Sequence, residues 1–284
     1  MARVLIAGCG YVGAALGTGL AAEGHSVWGL RRRPLSLPGG VLPIAADLAI
    51  PSTLEGLPSD LDVVFYMVAP AGREEALYRA AYVDGLRHLF EAMEKQGQCP
   101  SRVFFVSSTA VYAQQDGEWV DETSPTEPVH FTGARLLEAE GILAAGPFPG
   151  VVVRFGGIYG PRRTQLVDRV RAGRAEYEPG RPRYTNRIHR DDCAGALAHL
   201  MGLEDPAPLY LGVDCEPADE RSVLTWLAGA LGAQPPRKAS QGRRSVRGAG
   251  GNKRCRNDRL LGTGYAFRYP TYREGYSALI AGMT

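Results

Sequence analysis

Cysteine is scarce in this chain and poorly arranged: five residues, at positions 9, 99, 193, 215 and 255, with no Cys-x-x-Cys pair. An odd, unpaired set argues against a disulfide framework and against a zinc site, so reduced thiols and no metal are expected. Long apolar runs are missing too, which predicts neither a signal peptide nor a membrane span and makes the cytoplasm the expected setting. Lysine is almost absent, with only Lys95, Lys238 and Lys253 against 29 arginines. A formal net charge of +2 gives no global pull toward nucleic acid. The basic, glycine-rich stretch over 237–259 reads as surface loop in its middle (241–252). It lacks interleaved aromatics to stack on bases, so nucleic acid is not expected as a partner.

What is present is ordinary bulk composition and abundant glycine. Apolar residues make up 45% and charged residues 22%, as in globular proteins, while glycine reaches 36 of 284 residues. That length suits one large domain or two fused ones. Through the first half, short apolar runs alternate with helical patterns. Strands are predicted at Arg3–Ala7, Ser26–Leu30, Leu42–Ala46, Asp62–Ala69, Arg102–Ser107 and Val151–Phe155. Helices are predicted over 11–22 and 133–145. One long helix is expected where Leu77, Ala81, Leu86, Leu89, Phe90 and Met93 recur near 3.6-residue spacing. Continuous apolar strands separated by helices imply an α/β, Rossmann-type doubly wound parallel sheet. We expect a dinucleotide-binding domain over 1–160. Residues 161–284 would form mainly a small C-terminal substrate lobe interleaved with it, carrying helices near 163–172, 191–202, 220–231 and 271–281 and a strand at Pro208–Gly212.

The turn after the first strand reads Gly8-Cys9-Gly10-Tyr11-Val12-Gly13. A lone G-x-G-x-x-G is weak evidence, but here it follows a buried strand and opens a helix, the context a dinucleotide needs. Gly8 permits the tight turn, Gly10 lets the backbone approach a pyrophosphate, and Gly13 lets helix and strand pack closely. NAD sites place an acid about 20 residues on, to hold the ribose 2′-hydroxyl. Here no acid occurs between Glu23 and Asp47, and the second strand runs into Arg31, Arg32 and Arg33. Arginines there suit a 2′-phosphate, which predicts NADP over NAD; the competing reading is a solvated loop.

Later motifs in the same order extend the pattern: Ala46-Asp47-Leu48, Asp62-Val63-Val64, Val106-Ser107-Ser108-Thr109-Ala110-Val111-Tyr112, Arg154-Phe155-Gly156-Gly157-Ile158-Tyr159-Gly160-Pro161, and Asn186-Arg187-Ile188-His189-Arg190-Asp191-Asp192. With them the chain resembles the extended short-chain dehydrogenase/reductase (NAD-dependent epimerase/dehydratase) superfamily over nearly its whole length. The resemblance implies Asp47 and Leu48 near the adenine and Val68, Ala69 and Pro70 beside the cofactor ribose, with Ser107 also on the cofactor side. It puts Phe155, Gly156, Gly157 and Ile158 along the nicotinamide and His189 near the substrate lobe. It suggests a homodimer through the helices over 73–95 and 133–145, which could equally face solvent. The family's chemistry rests on a Tyr-x-x-x-Lys pair, and that pair is absent. No tyrosine lies between Tyr112 and Tyr159, and no lysine has a tyrosine four residues before it. The chain thus resembles the atypical members.

The candidates left for chemistry each have a plainer reading. Ser108, with Thr109 beside it, matches the family's catalytic hydroxyl; it could equally cap a strand end. Arg135 could anchor a ribose or phosphate in place of the lysine, or face solvent. It cannot act as an acid. His130 has a suitable intrinsic pKa, but it sits among loop residues. Arg162 and Arg163 fall where related enzymes hold an anionic substrate, and a solvated arginine-rich surface is the alternative. Two functional classes therefore stay open: an NADP-dependent oxidoreductase or epimerase-like enzyme acting on a small carbonyl, alcohol or sugar-like molecule, or a non-catalytic NADP-binding sensor. A third is an isomerase or lyase that keeps its cofactor and shows no net redox change.

Overall fold

A computed structural model describes residues 1–34, 37–239 and 251–283. The chain begins with β1 (Arg3–Ala7), α1 (Tyr11–Ala22), β2 (Ser26–Arg31), β3 (Val41–Ala45) and β4 (Val63–Tyr66). Next come α2 (Glu75–Tyr78), a π-helical turn (Arg79–Asp84), α3 (Gly85–Lys95), β5 (Arg102–Ser108), β6 (Glu118–Val120), α4 (Phe131–Ala145) and β7 (Gly150–Phe155). Then follow β8 (Gly157–Tyr159), α5 (Gln165–Arg171), β9 (Glu176–Tyr177), β10 (Tyr184–Thr185), β11 (Arg187–His189), α6 (Arg190–Met201) and β12 (Leu209–Gly212). The chain closes with β13 (Ala218–Asp219), α7 (Glu220–Ala230), β14 (Arg237–Lys238), β15 (Lys253–Cys255), α8 (Asp258–Gly262) and α9 (Tyr272–Ala281). Positions 241–250 of the expected arginine- and glycine-rich loop lie outside the described residues.

Seven strands make the central sheet in the order β12-β7-β5-β4-β1-β2-β3, the doubly wound parallel arrangement. The strand order reverses between β1 and β4, and in such sheets ligands bind beyond the carboxyl ends of the strands at that reversal. The turn after β1 and the segment after β4 are therefore the places to look. Val4, Leu5, Ile6 and Ala7 are all fully buried, as a strand covered on both faces requires. Ring stacking ties the next pair together, with Phe65 on Phe104 at 4.8 Å and Tyr66 near Phe105 at 5.9 Å.

Two compact units divide the chain. The first comprises Met1–Val111, Glu127–Arg154 and Ala194–Tyr210 and holds most of the sheet. The second comprises Tyr112–Thr126, Phe155–Cys193 and Leu211–Thr284. Its strands are two- and three-residue pairs: β8 with β11, β10 with β13, β9 with β14, and β6 with β15. Around them Val167, Val170, Leu224, Leu227, Tyr272 and Tyr276 form a core supplied by α5, α7 and α9. Thr271 and Glu274 close a capping box at the start of α9.

One expected element differs in a revealing way. The long helix is broken into α2, a π-helical turn and α3. A π turn widens the backbone and leaves carbonyls off the regular ladder. Tyr66 on β4 uses one of them, donating its hydroxyl to the Ala81 carbonyl at 2.6 Å. Only glycine fits at position 85, because a Cβ there would lie 2.6 Å from the same phenol oxygen. Residue periodicity does not register this break, since its cause lies on another strand.

Candidate functional site

In the first unit the glycine turn is built as its residues dictate. Gly8 adopts φ +86°, and a Cβ there would sit 2.7 Å from the Val68 backbone. The turn is tied down by the Gly8 and Cys9 N–H groups, which both donate to the Leu30 carbonyl at 3.0 and 3.1 Å. A Cβ on Gly10 would meet nothing nearer than the Gly8 carbonyl at 3.8 Å, so the space before it is open. One on Gly13 would press the Ile6 side chain at 3.0 Å. Gly10 is the N-cap of α1 and supplies no side-chain acceptor to its first turn. An uncapped helix start fronted by open glycine backbone fits a pyrophosphate. Cys9 is buried within this turn, and burial pushes its thiol up to about 11 while Arg31 pulls the other way. It packs; it is not a nucleophile.

Arg31 ends β2 half-buried, and Arg32 and Arg33 follow it exposed. None of the three forms an ion pair among the described residues. Beyond β3, Asp47 accepts the Ala49 N–H at 3.0 Å, and its backbone is pinned to Thr53. Leu48 is buried, with its carbonyl on His88 Nδ1 at 2.7 Å. Past the end of β4, Val68 and Pro70 are half-buried and Ala69 exposed, and the Val68 backbone lies directly against Gly8.

The hydroxyls after β5 are already employed. Ser107 is buried and donates to Glu140 Oε1 at 2.6 Å; Arg154 clamps the same carboxylate at 3.0 and 2.6 Å. The Ser107 hydroxyl proton is therefore committed to Glu140. Ser108 Oγ accepts the Ala110 N–H at 3.2 Å, the strand-end cap, and Thr109 is buried. His130 is the exposed N-cap residue of α4, and its side chain caps nothing. Arg135, one turn into α4, pairs with Glu138 and with Glu75 at 3.0 Å. The arginine that stands where the family's lysine would be is therefore held by two carboxylates.

A cavity of about 470 Å³ also opens in this unit, lined by Glu140, Leu143, Phe148, Pro149, Val152 and Pro208. It lies at the entry of β7 and the far end of α4, away from the glycine turn. No group of three or more His, Cys, Asp or Glu among the described residues could hold a metal. No helix among them is long and apolar enough to cross a membrane.

The second unit carries the rest. Phe155 is buried against Gly212, whose missing Cβ would fall 2.2 Å from the ring. Gly156 donates to the Gly212 carbonyl at 3.0 Å and Gly157 to that of Asn186 at 2.9 Å; Gly157 is exposed and Ile158 half-buried. Past β8, Arg162 and Arg163 are exposed, and Arg162 takes φ +66°, unusual for a residue with a Cβ. Arg162 forms no ion pair among the described residues.

His189 departs from the substrate contact expected of it. It is 2% exposed, with its ring between Tyr159 at 5.3 Å and Tyr269 at 4.1 Å, and its Nδ1 accepts the Asp191 N–H. Burial pushes its pKa down to about 4, so the ring is neutral and structural.

Sequence reading missed a buried polar cluster beside it. Asp214, Arg187 and Tyr159 are all buried, and each keeps one polar atom without a hydrogen-bond partner: Oδ2, Nη1 and the phenol oxygen. Burial pushes the Asp214 carboxyl up to about 7, against the pull of Arg187 and the Glu216 N–H. No spacing in the sequence marks this group, because its members come from β8, β11 and the segment after β12.

A profile of the NAD-dependent epimerase/dehydratase family matches residues 4–201. A 3-diazoavenalumate denitrifying reductase from a Streptomyces species is 30% identical over 257 residues, covering 83% of each chain. A 2-alkyl-3-oxoalkanoate reductase from Stenotrophomonas maltophilia is 28% identical, covering 84% of this chain and 78% of its own length. A structure from Methylobacillus flagellatus, provisionally described as an NAD-dependent epimerase/dehydratase, is 37% identical with a TM-score of 0.81. That match covers 99% of this chain and 98% of the other.

Proposed function

The chain belongs to the NAD-dependent epimerase/dehydratase family, and from that premise we propose that it is an NADPH-dependent reductase of a small anionic carbonyl compound. A reduced nicotinamide supplies a hydride when bound. The chain's own part is to hold, orient and protonate. The turn Gly8–Gly13 receives the pyrophosphate through open backbone and the N-terminus of α1. Arg31 and Arg32 take the 2′-phosphate, Asp47 and Leu48 border the adenine, and Val68, Ala69 and Pro70 border the ribose. Ser108 keeps its hydroxyl proton available while its oxygen caps Ala110, so it can donate to a substrate oxygen. In the second unit Phe155–Ile158 carry the nicotinamide-side role by family resemblance. Arg162 and Arg163 receive the substrate's anionic group. Two relatives named as reductases support reduction over epimerisation.

The observation that carries the NADPH assignment is the run Arg31, Arg32, Arg33 at the end of β2, exposed to half-buried and without an acidic partner. Charge-assisted bonds to a phosphate are worth about 1.5–3 kcal/mol each. We therefore expect the double substitution Arg31→Ala, Arg32→Ala to lower the NADPH-over-NADH preference by roughly 100-fold or more, read by calorimetric titration of both nucleotides. An unchanged ratio sinks the assignment.

A second reading, a non-catalytic NADP sensor, draws on Arg135, whose guanidinium is spent on Glu75 and Glu138. It requires tight NADP binding with no turnover of any carbonyl compound. An isomerase or lyase is told apart by cofactor that copurifies and never exchanges.

A further inference from the structure

We propose that Tyr78 is the proton donor of this site, its phenol delivering the proton to the substrate oxygen. The proposal rests on the reductase reading above. Reducing a carbonyl needs a hydride at carbon and a proton at oxygen, and the proton must come from a group that is both positioned and unspent.

The other candidate groups of the first unit each fall short. Ser108 Oγ accepts the Ala110 N–H and keeps its proton for a hydrogen bond, but an unaided serine is a poor acid near neutral pH. Arg135 spends its guanidinium on two carboxylates and does not release a proton. The exposed His130 ring makes no hydrogen bond, ion pair or ring contact among the described residues, so nothing aims it.

Tyr78 meets both conditions. It closes α2, immediately before the π-helical turn, and is half-buried. Its ring stands edge-on to Phe131 at 5.5 Å, the residue that begins α4 one turn before Arg135. On its other side it meets Tyr82 at 5.7 Å, and Tyr82 in turn stands edge-on to Phe105 of β5 at 6.2 Å. The π turn itself is fixed to β4 by the Tyr66–Ala81 hydrogen bond and to α4 by Arg79, 3.6 Å from Glu138. The ring is thus held from two sides. Its hydroxyl has no hydrogen-bond partner among the described residues, and it is not sealed from solvent. Tyr82 shares the aromatic string, but burial pushes its phenol up to about 12, which makes it a poor acid near neutral pH.

The step balances simply. The carbonyl carbon gains a hydride from reduced nicotinamide, the carbonyl oxygen gains the proton from Tyr78 as its O–H bond breaks, and the phenolate is reprotonated from solvent. Nothing else is oxidised or reduced.

The test is a spectroscopic pH titration of phenolate absorbance in the full chain, free and saturated with NADP+. A donor lying beside the cationic nicotinamide should ionise about one pH unit or more earlier with NADP+ than without it. We expect that cofactor-dependent step in the wild type and in Tyr82→Phe, and its loss in Tyr78→Phe with NADP+ affinity kept within about twofold, the phenol being no part of the nucleotide's own contacts. A step that survives Tyr78→Phe, or no step in a wild type that binds NADP+, overturns the proposal. A chain that binds no NADP+ overturns the cofactor reading first, and this proposal with it. With NADPH and a 2-alkyl-3-oxoalkanoate as probe, Tyr78→Phe should lower kcat roughly 100-fold or more and leave the NADPH KM unchanged; turnover at the wild-type rate also overturns it.

Discussion

Two groups of charges, one in each unit of this chain, are handled in opposite ways. In the first, the arginines that matter stand at the margin: Arg31 to Arg33 run off the end of a strand with no acidic partner. In the second, charged and titratable groups are taken inside, with Arg187, His189, Asp192, Asp214 and Lys253 all buried. Unpaired charge at an edge is cheap to keep in water and available to a ligand. Buried charge must be satisfied within the protein, and where it is not, stability comes to depend on pH. The first arrangement suits a binding surface, the second a scaffold that has accepted electrostatic strain.

The largest expected effect tests the first unit where it has no slack. Gly8→Ala would impose a Cβ on a residue at φ +86° and drive it to 2.7 Å from the Val68 backbone. Left-handed strain and overpacking together should cost about 2–4 kcal/mol, because backbone cannot move aside as a flexible side chain can. Urea unfolding should show the loss, and NADPH binding should vanish with it. Normal stability and affinity in this variant would mean that the turn is looser than its geometry implies.

Next comes the second unit's buried charge. Burial raises the Asp214 carboxyl from the ordinary aspartate range near 4 to about 7 in the folded state. A raised carboxyl pKa means that the folded state holds the proton more tightly than the unfolded chain does. Its contribution is therefore most favourable at acid pH, falls as the pH rises from about 4 to about 7, and stays low above that. The full difference is on the order of 4 kcal/mol. His189 works the other way: its pKa is lowered to about 4, so its burial costs stability as the pH falls through 6.5 toward 4. The two oppose each other across their shared window, so the curve for the wild type alone does not isolate either. Asp214→Asn should do so, gaining stability over the wild type as the pH is raised from 5 to 8. A difference that does not change with pH would show that Asp214 is charged and satisfied after all.

This contrast also explains what the sequence could disclose. The doubly wound sheet was readable because β1 and β4 are unbroken apolar runs and because Gly8, Gly10 and Gly13 each answer a local backbone need. Those signals are carried by neighbours along the chain. The π turn in the expected long helix depends on Tyr66, a strand away, and leaves the hydrophobic spacing intact. Strands β6 and β15 are three residues each, and each is defined by the other; Arg254 pairs with Trp119 across 135 positions of sequence. His189 looked like a ligand because its motif is legible, whereas its burial between Tyr159 and Tyr269 is not. Residues whose role is set by remote partners are the ones that sequence patterns misplace.

The smallest expected effect asks whether the first unit's rule extends to Arg135, the one arginine there that combines a site position with acidic partners. Glu75 is exposed and reaches Arg135 at 3.0 Å, while Glu138 holds the other side of the guanidinium from the same helix. An exposed pair contributes little to folding, since water and salt compete for both ions. Glu75→Gln should therefore leave the urea midpoint almost where it was. It also removes one negative charge from the flank of a cation that could otherwise answer a cofactor phosphate. If Arg135 belongs with Arg31 and Arg32 as a ligand-facing charge, NADPH should bind more tightly in the variant, by less than about tenfold, and the gain should fade as salt is raised. If its work is to brace α2 against α4, affinity should stay the same or fall, because the Tyr78–Phe131 contact sits between the same two elements. The direction of a small change, measured at two salt concentrations, decides between a charge kept for a ligand and a charge kept for the fold.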